Sequence, residues 1–308
     1  MGNDNKIYRA QTIGNIEPIE YMIPYPSVQA IIEGQIIKYH NETVFEEYGL
    51  SNIEFYYTIQ KISYWLNEQG IVPKDRVIIT DDSILNSILL LYGLWNIGAV
   101  GVFLEQKNAC KNKNLNTKTL NYEGDLIKRI QRYTPKFIPK YKALLNEDAI
   151  AIVSSDKTVF ISHYALLINA SGLQKLLNLR SKQRFYCDLN PGTSFWVVIC
   201  AILPVYSLAV FTSFNPSVVI TYENIDINKG YRLREDWEKL DDYKLNDLAV
   251  CKENSAIFAI NKKPIHLTDY KIIDDELWLK GHSLMNGYLE KDKMVFKDDY
   301  LIIKNNKF

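Results

Sequence analysis

The sequence is poor in the residues that build metal and disulfide sites. It has only four cysteines in 308 residues, and they are scattered along the chain: Cys110, Cys187, Cys200 and Cys251. None belongs to a Cys-x-x-Cys pair or to a zinc-ligand spacing, and His40, His266 and His282 also lack partners at metal-binding spacing. We therefore expect no metal site, and we interpret the cysteines as reduced intracellular thiols.

The chain also lacks an excess of charge of either sign. Its 36 basic residues are balanced by 36 acidic ones, so no global field favours nucleic acid or an anionic membrane. The opening residues, "MGNDNKIYRAQ", are polar and do not form a signal segment, and Lys6 stands where a myristoylation signal needs Ser or Thr. These features predict a cytoplasmic protein with neither nucleic acid nor membrane as a partner.

Unbroken apolar runs of membrane-spanning length are missing as well. Residues 84–104 and 195–211 approach that length, but Gly98 and Pro204 interrupt them near the middle. β-favouring residues follow each interruption. This pattern predicts a buried helix, a tight turn and a buried strand in each stretch.

The residues that are present predict a folded protein with alternating helices and strands. The composition is 47% hydrophobic, with 21 Tyr and 12 Phe. After Ser51, apolar residues recur at helical spacing, with Ser51 as N-cap, Glu54 completing a capping box and Gly70 ending the helix. The strand "KDRVIIT", a helix from Ser83 to Ile97 and the strand "AVGVFLE" follow. This order is typical of a parallel sheet covered by helices.

The second half of the sequence continues this pattern and then changes. "AIAIVSS" and "TVFIS" predict a strand pair, followed by a helix over 163–179, the strand "RFYCDL", a helix over 194–203 and the strand "LAVFTSF". We interpret the basic segment 107–142 as a solvated helix and loop, and the charged segment 223–250 as a connector or surface segment. From Ala256 onward, short alternating runs predict a small antiparallel sheet or barrel.

We therefore predict an α/β fold of layered α/β sandwich subdomains with a C-terminal β-rich subdomain. The predicted ranges are a first α/β subdomain over 1–145, a truncated second one over 146–222, and a linker with the β-rich subdomain over 223–308.

One break between strand and helix raises a question of function. Nucleotide enzymes place a glycine-rich phosphate loop at such a break, because the backbone must turn sharply and approach the phosphate without a Cβ in the way. Here the break reads "SSDKT" and contains no glycine. We interpret it as a tight hairpin.

Four stretches in order carry a resemblance to a known family. They are "IEFYYTIQKISYWLNEQGIVPKDRVIIT" with "LLLYGLWNIGAVGVFLE", then "EDAIAIVSS…KTVFISHYALLINA", "CDLNPGTSFWVVICAILPVYSLAVF" and "DDELWLKGHSLMNGYL…FKDDYLIIK". Together they resemble the N-terminal AMP-binding domain of the adenylate-forming superfamily, which includes acyl-CoA synthetases, luciferases and nonribosomal adenylation domains. The resemblance implies the layered α/β fold and a site for ATP.

The phosphate loop departs from the family pattern, which is similar to Thr-Ser-Gly-[Thr/Ser]-Thr-Gly-x-Pro-Lys-Gly. The resemblance implies that Ser154 and Ser155 match the start of that loop and Lys157 its lysine. Thr158 stands where the closing glycine would be, and only Asp156, which repels phosphate, remains between. We expect this remnant not to cradle a triphosphate.

Three further departures concern the rest of the nucleotide site. We find no Tyr-Gly-x-[Ser/Thr]-Glu motif, since "GYLE" at residues 287–290 belongs by context to a later segment. Asn305 aligns with the ribose-binding aspartate, and an amide is a weaker acceptor than a carboxylate. The chain ends at Phe308, before the family's small mobile C-terminal domain and its catalytic lysine would begin, so we expect that domain to be lacking.

Other candidate residues have structural interpretations beside the functional ones. His163 could act as a base at the start of a helix, but we favour a structural role. Cys200 lies in an apolar run that indicates core, without a paired histidine. In the resembling enzymes, the start of the helix at Asn190 to Trp196 borders the acyl pocket; we retain Asn190 and Trp196 as a possible pocket, although a buried tryptophan is more often core.

The first functional hypothesis is therefore a catalytically inactive acyl-CoA synthetase-like protein, a pseudoenzyme with a binding, regulatory or structural role and no cofactor. Its partner would be a second copy in a homodimer, an intact synthetase or another protein subunit. The alternative is an AMP-forming carboxylic acid:CoA ligase that uses ATP and Mg²⁺ and completes its active site with a partner subunit. A self-assembling scaffold is the third hypothesis.

Overall fold

Serine caps and glycines in the local sequence set the ends of two helices in the first part of the chain. The computed structural model describes residues 3–80, 83–105, 115–120, 122, 125–228 and 230–304. Ser51 caps helix α3 (Asn52–Glu68) in a complete capping box with Glu54, and Gly70 follows its end with a positive φ. The Ser83 side chain caps α4 (Ile84–Ile97) by accepting from the Asn86 amide, and Gly98 ends the helix in the left-handed conformation. Both predicted helices are confirmed.

Eight α-helical segments lie in the described part of the chain. They are α1 (Asn3–Gln11), α2 (Val28–Tyr39), α3 (Asn52–Glu68), α4 (Ile84–Ile97), α5 (Leu126–Ile130), α6 (His163–Leu177), α7 (Ser194–Trp196) and α8 (Leu203–Ser207). A π-helical segment, Val197–Ile202, joins α7 to α8, so the helix predicted over 194–203 extends to residue 207.

A six-stranded sheet combines strands from all three predicted subdomain ranges. Its order is β17-β7-β6-β4-β3-β5, with β3 to β6 parallel and with antiparallel β6–β7 and β7–β17 pairs. The strands are β3 (Arg76–Ile78), β4 (Val100–Leu104), β5 (Thr117–Thr119), β6 (Asp148–Val153), β7 (Thr158–Ser162) and β17 (Gly287–Tyr288). The predicted strand pair β6–β7 and the hairpin interpretation of "SSDKT" are confirmed.

A second, nine-stranded sheet has the order β14-β13-β12-β11-β10-β8-β9-β1-β2. Its central strands are parallel, and antiparallel pairs lie at both ends. The strands are β1 (Thr43–Phe45), β2 (Leu50–Ser51), β8 (Arg184–Cys187), β9 (Val210–Phe211), β10 (Val218–Thr221), β11 (Tyr231–Arg234), β12 (Asp247–Val250), β13 (Ile257–Ile260) and β14 (Lys263–Pro264).

The interpretation of residues 223–250 as a connector is wrong. Strands β11 and β12 lie in this range, and both are inner strands of the nine-stranded sheet. Their charges point to each other: Asp247 is 1% exposed and binds Arg232 at 2.6 Å and Arg234 at 3.4 Å. Part of the charge of this segment therefore belongs to an internal ion-pair network.

The third sheet confirms a β-rich C-terminal part, but it begins at Thr268, because the run predicted from Ala256 forms β13 and β14 of the nine-stranded sheet. Four antiparallel strands have the order β15-β16-β19-β18: β15 (Thr268–Ile273), β16 (Glu276–Gly281), β18 (Val295–Lys297) and β19 (Tyr300–Lys304). The layered α/β fold class is confirmed with it. Strands nevertheless pair across the predicted boundaries, since β1 contacts β9 and β10 contacts β11.

One continuous apolar core joins the sheets. It includes Val77 and Ile150 from the six-stranded sheet, Phe185 and Leu248 from the nine-stranded sheet, and Leu277 from the third, all buried. Among the described residues, no helix combines the length and the apolar character that a membrane crossing requires.

Two of the four cysteines meet in the fold. The structure pairs Cys187 of β8 with Cys200 of the π-helical segment, with the Cα atoms 6.6 Å apart. The two residues are 13 positions apart, and the sequence pattern gives no sign that strand and helix would meet there. Cys251 is a buried free thiol, and Cys110 lies outside the described residues.

The internal ion-pair network predicts a large loss of stability on substitution of its central acid. Asp247→Asn leaves Arg232 and Arg234 without their shared carboxylate, and breaking a buried pair in this way costs about 3–5 kcal/mol. Urea unfolding monitored by circular dichroism measures the change. Asp241→Asn is the matched control, because Asp241 is fully exposed and its pair with Lys262 is 3.6 Å long. Equal stabilities of the two variants would contradict the network.

Candidate functional site

A cleft of about 750 Å³ lies where the carboxyl ends of strands from two sheets converge. The segments that follow β4, β6, β8, β11 and β12 form its walls, together with the end of β19. Open α/β sheets bind ligands beyond the carboxyl ends of their strands. The position of the cleft therefore makes it the candidate site.

The β6–β7 hairpin forms one wall of the cleft. The Ser154 amide donates to the Lys157 carbonyl at 3.0 Å, which closes the turn, and the Ser154 hydroxyl lies 2.7 Å from Asp156 Oδ1. The Thr158 amide donates to Glu290 Oε2 at 3.0 Å, and Thr158 is fully buried. Two backbone amides of the remnant loop are therefore already used within the protein.

The ammonium of Lys157 is held by a buried carboxylate from another segment. Lys157 Nζ lies 2.7 Å from Glu253 Oε1, and the two side chains are 15% and 3% exposed. The Tyr288 hydroxyl donates to the same oxygen at 3.0 Å, and the Cys251 thiol donates to Oε2 at 3.0 Å. Lys157 also lies over the Tyr288 ring, 5.1 Å from its centroid. The hairpin, the segment after β12 and β17 thus meet at one carboxylate.

These contacts keep Glu253 ionised. Burial opposes its charge, but the charges of Lys157 and Lys252 and the hydrogen bonds from Cys251 and Lys157 outweigh burial and lower the pKa of Glu253 to about 2. The pKa of Lys157 is raised. Burial of the ammonium lowers this pKa, but the neighbouring Glu253 carboxylate raises it by more. Burial and the Glu253 charge raise the pKa of the Cys251 thiol, which disfavours a thiolate nucleophile.

The other lysines of the cleft are also paired. Lys252 Nζ lies 2.8 Å from Glu105 Oε1, and Lys304 Nζ lies 3.3 Å from Glu276 Oε1. The wall residues include four carboxylates (Glu105, Asp156, Glu235 and Glu253) against three lysines. Within the described part of the cleft, no positive charge is left in excess for a polyanionic ligand.

Only some of the site residues predicted from the sequence lie at the cleft. Ser155 and Lys157 line the cleft, and Ser154 and Thr158 anchor the hairpin behind it. Asn190 is exposed and does not line the cleft, whereas its neighbours Pro191 to Thr193 and Phe195 do. Asn305 lies outside the described residues.

Trp196 and His163 are buried in the core. Trp196 is fully buried and packs edge-on against Phe103 at 5.7 Å between ring centroids. His163 is 1% exposed, and burial lowers its pKa to about 4. A neutral, enclosed imidazole of this kind fits the structural role rather than that of a base at the cleft.

Sequence reasoning missed Glu253. It ends the run Ala249–Glu253, which shares only its last residue with the Tyr-Gly-x-[Ser/Thr]-Glu pattern. The signal that could have revealed it is positional, since Glu253 is the third residue after the carboxyl end of strand β12. Tyr288, interpreted as part of a later segment, was missed as a contact of the same cluster.

In this arrangement Glu253 is ionised and accepts from three donors, the Cys251 thiol stays protonated, and Lys157 is paired with a carboxylate at close range. The described residues contain no group of His, Cys, Asp and Glu side chains that could hold a metal ion.

Comparisons with known proteins show the fold. No family model matches the sequence, and no curated protein matches it. Among solved structures, the N-terminal subdomain of NpsA from Klebsiella oxytoca is similar, with a TM-score of 0.70, 12% identity and coverage of 92% of this chain and 96% of that one.

Two further solved structures are similar to the same extent. The anthranilate CoA ligase AuaEII in complex with anthranoyl-AMP has a TM-score of 0.69 and 15% identity, with coverage of 91% and 74%. E. coli MenE with a bound analogue of OSB-AMS has a TM-score of 0.69 and 12% identity, with coverage of 89% and 74%. The chain therefore has the N-terminal domain fold of adenylate-forming ligases.

The low pKa of Glu253 predicts a pH-dependent contribution to stability. Its folded pKa of about 2 lies below its ordinary value of 4.5, so the ionised form favours the folded state. The contribution is present above pH 5 or so and is lost as the pH falls towards 2. We expect the advantage of the wild type over Glu253→Gln, on the order of 3 kcal/mol at pH 7, to shrink across this range.

Urea unfolding at several pH values between 3 and 7 measures this difference. Glu105→Gln is the control, because the Glu105–Lys252 pair is more exposed, with side chains 30% and 19% accessible. An advantage over Glu253→Gln that stays constant with pH would contradict the assignment.

Proposed function

We propose that this chain is an acyl-CoA synthetase-like member of the adenylate-forming superfamily that does not catalyse adenylation. In this proposal it is a pseudoenzyme with a binding, regulatory or structural role. The shared fold supports the kinship, and the chemistry of the cleft supports the loss of activity.

The observation that carries the proposal is the internal neutralisation of Lys157 on a hairpin without glycine. A triphosphate needs backbone amides and cations that are free to approach it. Here the Ser154 and Thr158 amides bond within the protein, and Glu253 holds the ammonium of Lys157 at 2.7 Å. A nucleotide phosphate would have to displace a buried carboxylate to reach this lysine.

The expected loss of adenylation rate is large enough to favour complete inactivity. Removing one preorganised donor at a charged transition state typically costs on the order of 10²–10³ in rate. The glycine loop and most of the Tyr-Gly-x-[Ser/Thr]-Glu pattern are both missing from the sequence. Losses at independent parts of one site multiply, so no useful adenylation is expected.

The remaining cleft is compatible with a weakly bound small ligand or a protein contact. Its apolar wall residues are Leu104, Phe195, Trp237, Val250 and Ile303. The partner in this proposal is a second copy of the chain, an intact synthetase or another protein subunit, and no cofactor is required.

We predict that the purified protein neither binds ATP with Mg²⁺ nor forms AMP from ATP with carboxylic acids. Calorimetric titration with ATP and Mg²⁺, then with AMP, should give no saturable heat. A radiolabelled ATP assay across short, medium and aromatic acids should show no AMP above the no-protein blank. An active adenylating enzyme measured in parallel is the positive control.

Saturable micromolar ATP binding or acid-dependent AMP formation would contradict the proposal. Activity that emerges only with a co-purified subunit would instead support an AMP-forming carboxylic acid:CoA ligase that uses ATP and Mg²⁺ and completes its site with a partner.

A further inference from the structure

We infer that Glu253 occupies an oxyanion site with its own carboxylate. Three donors from three segments converge on it: Lys157 Nζ at 2.7 Å and the Tyr288 hydroxyl at 3.0 Å on Oε1, and the Cys251 thiol at 3.0 Å on Oε2. A cation with two neutral donors around one planar oxyanion is the arrangement by which proteins bind a small carboxylate or phosphate. In this chain the anion is supplied internally.

The site is enclosed but adjoins the cleft. Glu253 is 2% exposed and Tyr288 is 6% exposed, so the donors act in a poorly hydrated environment where charge interactions are strong. Lys157, Cys251 and Glu253 are all residues of the cleft wall. Truncation of Glu253 would therefore leave a cavity that lies beside solvent and is lined by donors.

Other charged groups near the site are committed elsewhere. Lys252 lies against Glu105, and Lys293 donates to the Asp156 backbone carbonyl. Asp156 is the other acid close to Lys157, and its Oδ1 lies 2.7 Å from the Ser154 hydroxyl. The Glu253 side chain is thus the group whose removal exposes the ammonium of Lys157 to an incoming anion.

This inference deepens the proposed function, since it names the group that competes with phosphate at Lys157. Without the Glu253 carboxylate, the site should take a free oxyanion of similar size, either a carboxylate such as formate or an inorganic phosphate.

The test is chemical rescue of Glu253→Ala. Thermal unfolding and calorimetry are recorded with increasing sodium formate or sodium phosphate, with sodium chloride keeping the ionic strength constant. We expect a lower Tm for Glu253→Ala than for the wild type, and a saturable rise in Tm with at least one of the two anions. The apparent affinity should exceed that of the wild type at least tenfold. Rescue by formate alone would define a carboxylate-sized site, and rescue by phosphate would define a larger one.

Two control variants separate this site from general salt effects. Lys157→Met/Glu253→Ala removes the cation and should respond to the anions no more than the wild type does. Glu276→Gln frees Lys304, whose side chain is 65% exposed at the same cleft, and should create no saturable site. Should Glu253→Ala be unfolded in chloride, saturating formate or phosphate should restore its folded circular dichroism spectrum.

Failure of both anions to rescue Glu253→Ala, or equal rescue of the double variant, would overturn the inference. Neither result would alter the proposed lack of adenylation, which the ATP assay on the wild type decides separately.

Discussion

The ion pair between Lys157 and Glu253 is the interaction on which the character of the cleft depends. A buried ammonium needs a partner, because an uncompensated charge in the interior is strongly destabilising. In this chain the partner comes from the protein itself, at 2.7 Å, and Tyr288 and Cys251 donate to the same carboxylate. The ends of strands from two sheets form the walls of the cleft. The positive charge of Lys157 in that wall is already neutralised by Glu253.

Much of the fold follows from local sequence. The capping box of Ser51 and Glu54 and the left-handed Gly98 fix the ends of α3 and α4 through contacts within a few residues. The "SSDKT" hairpin is equally local, since the Ser154 amide reaches only to the Lys157 carbonyl. Such features are predictable because one stretch of sequence contains both partners of each contact.

The site could not be predicted to the same extent, because its contacts join distant parts of the chain. Glu253 meets Lys157 across 96 positions and Tyr288 across 35, and neither pairing leaves a pattern in a single sequence. The charged residues of β11 and β12 led to a wrong interpretation for the same reason. From sequence alone, a charged segment is interpreted as a solvated connector, but in the fold Arg232 lies beside the buried Asp247. Composition gives the number of charges, but only the fold shows which of them neutralise each other.

The central claim is that Glu253 keeps the Lys157 ammonium from nucleotide phosphate, and ¹⁵N NMR of the lysine side chains tests it most directly. The Lys157 ammonium signal, identified by its loss in Lys157→Met, would be followed in the wild type during titration with ATP and Mg²⁺. The account predicts a signal that is unchanged at millimolar nucleotide, because the ion pair stays intact. A saturable shift of this signal would show that phosphate reaches Lys157 and would contradict the account.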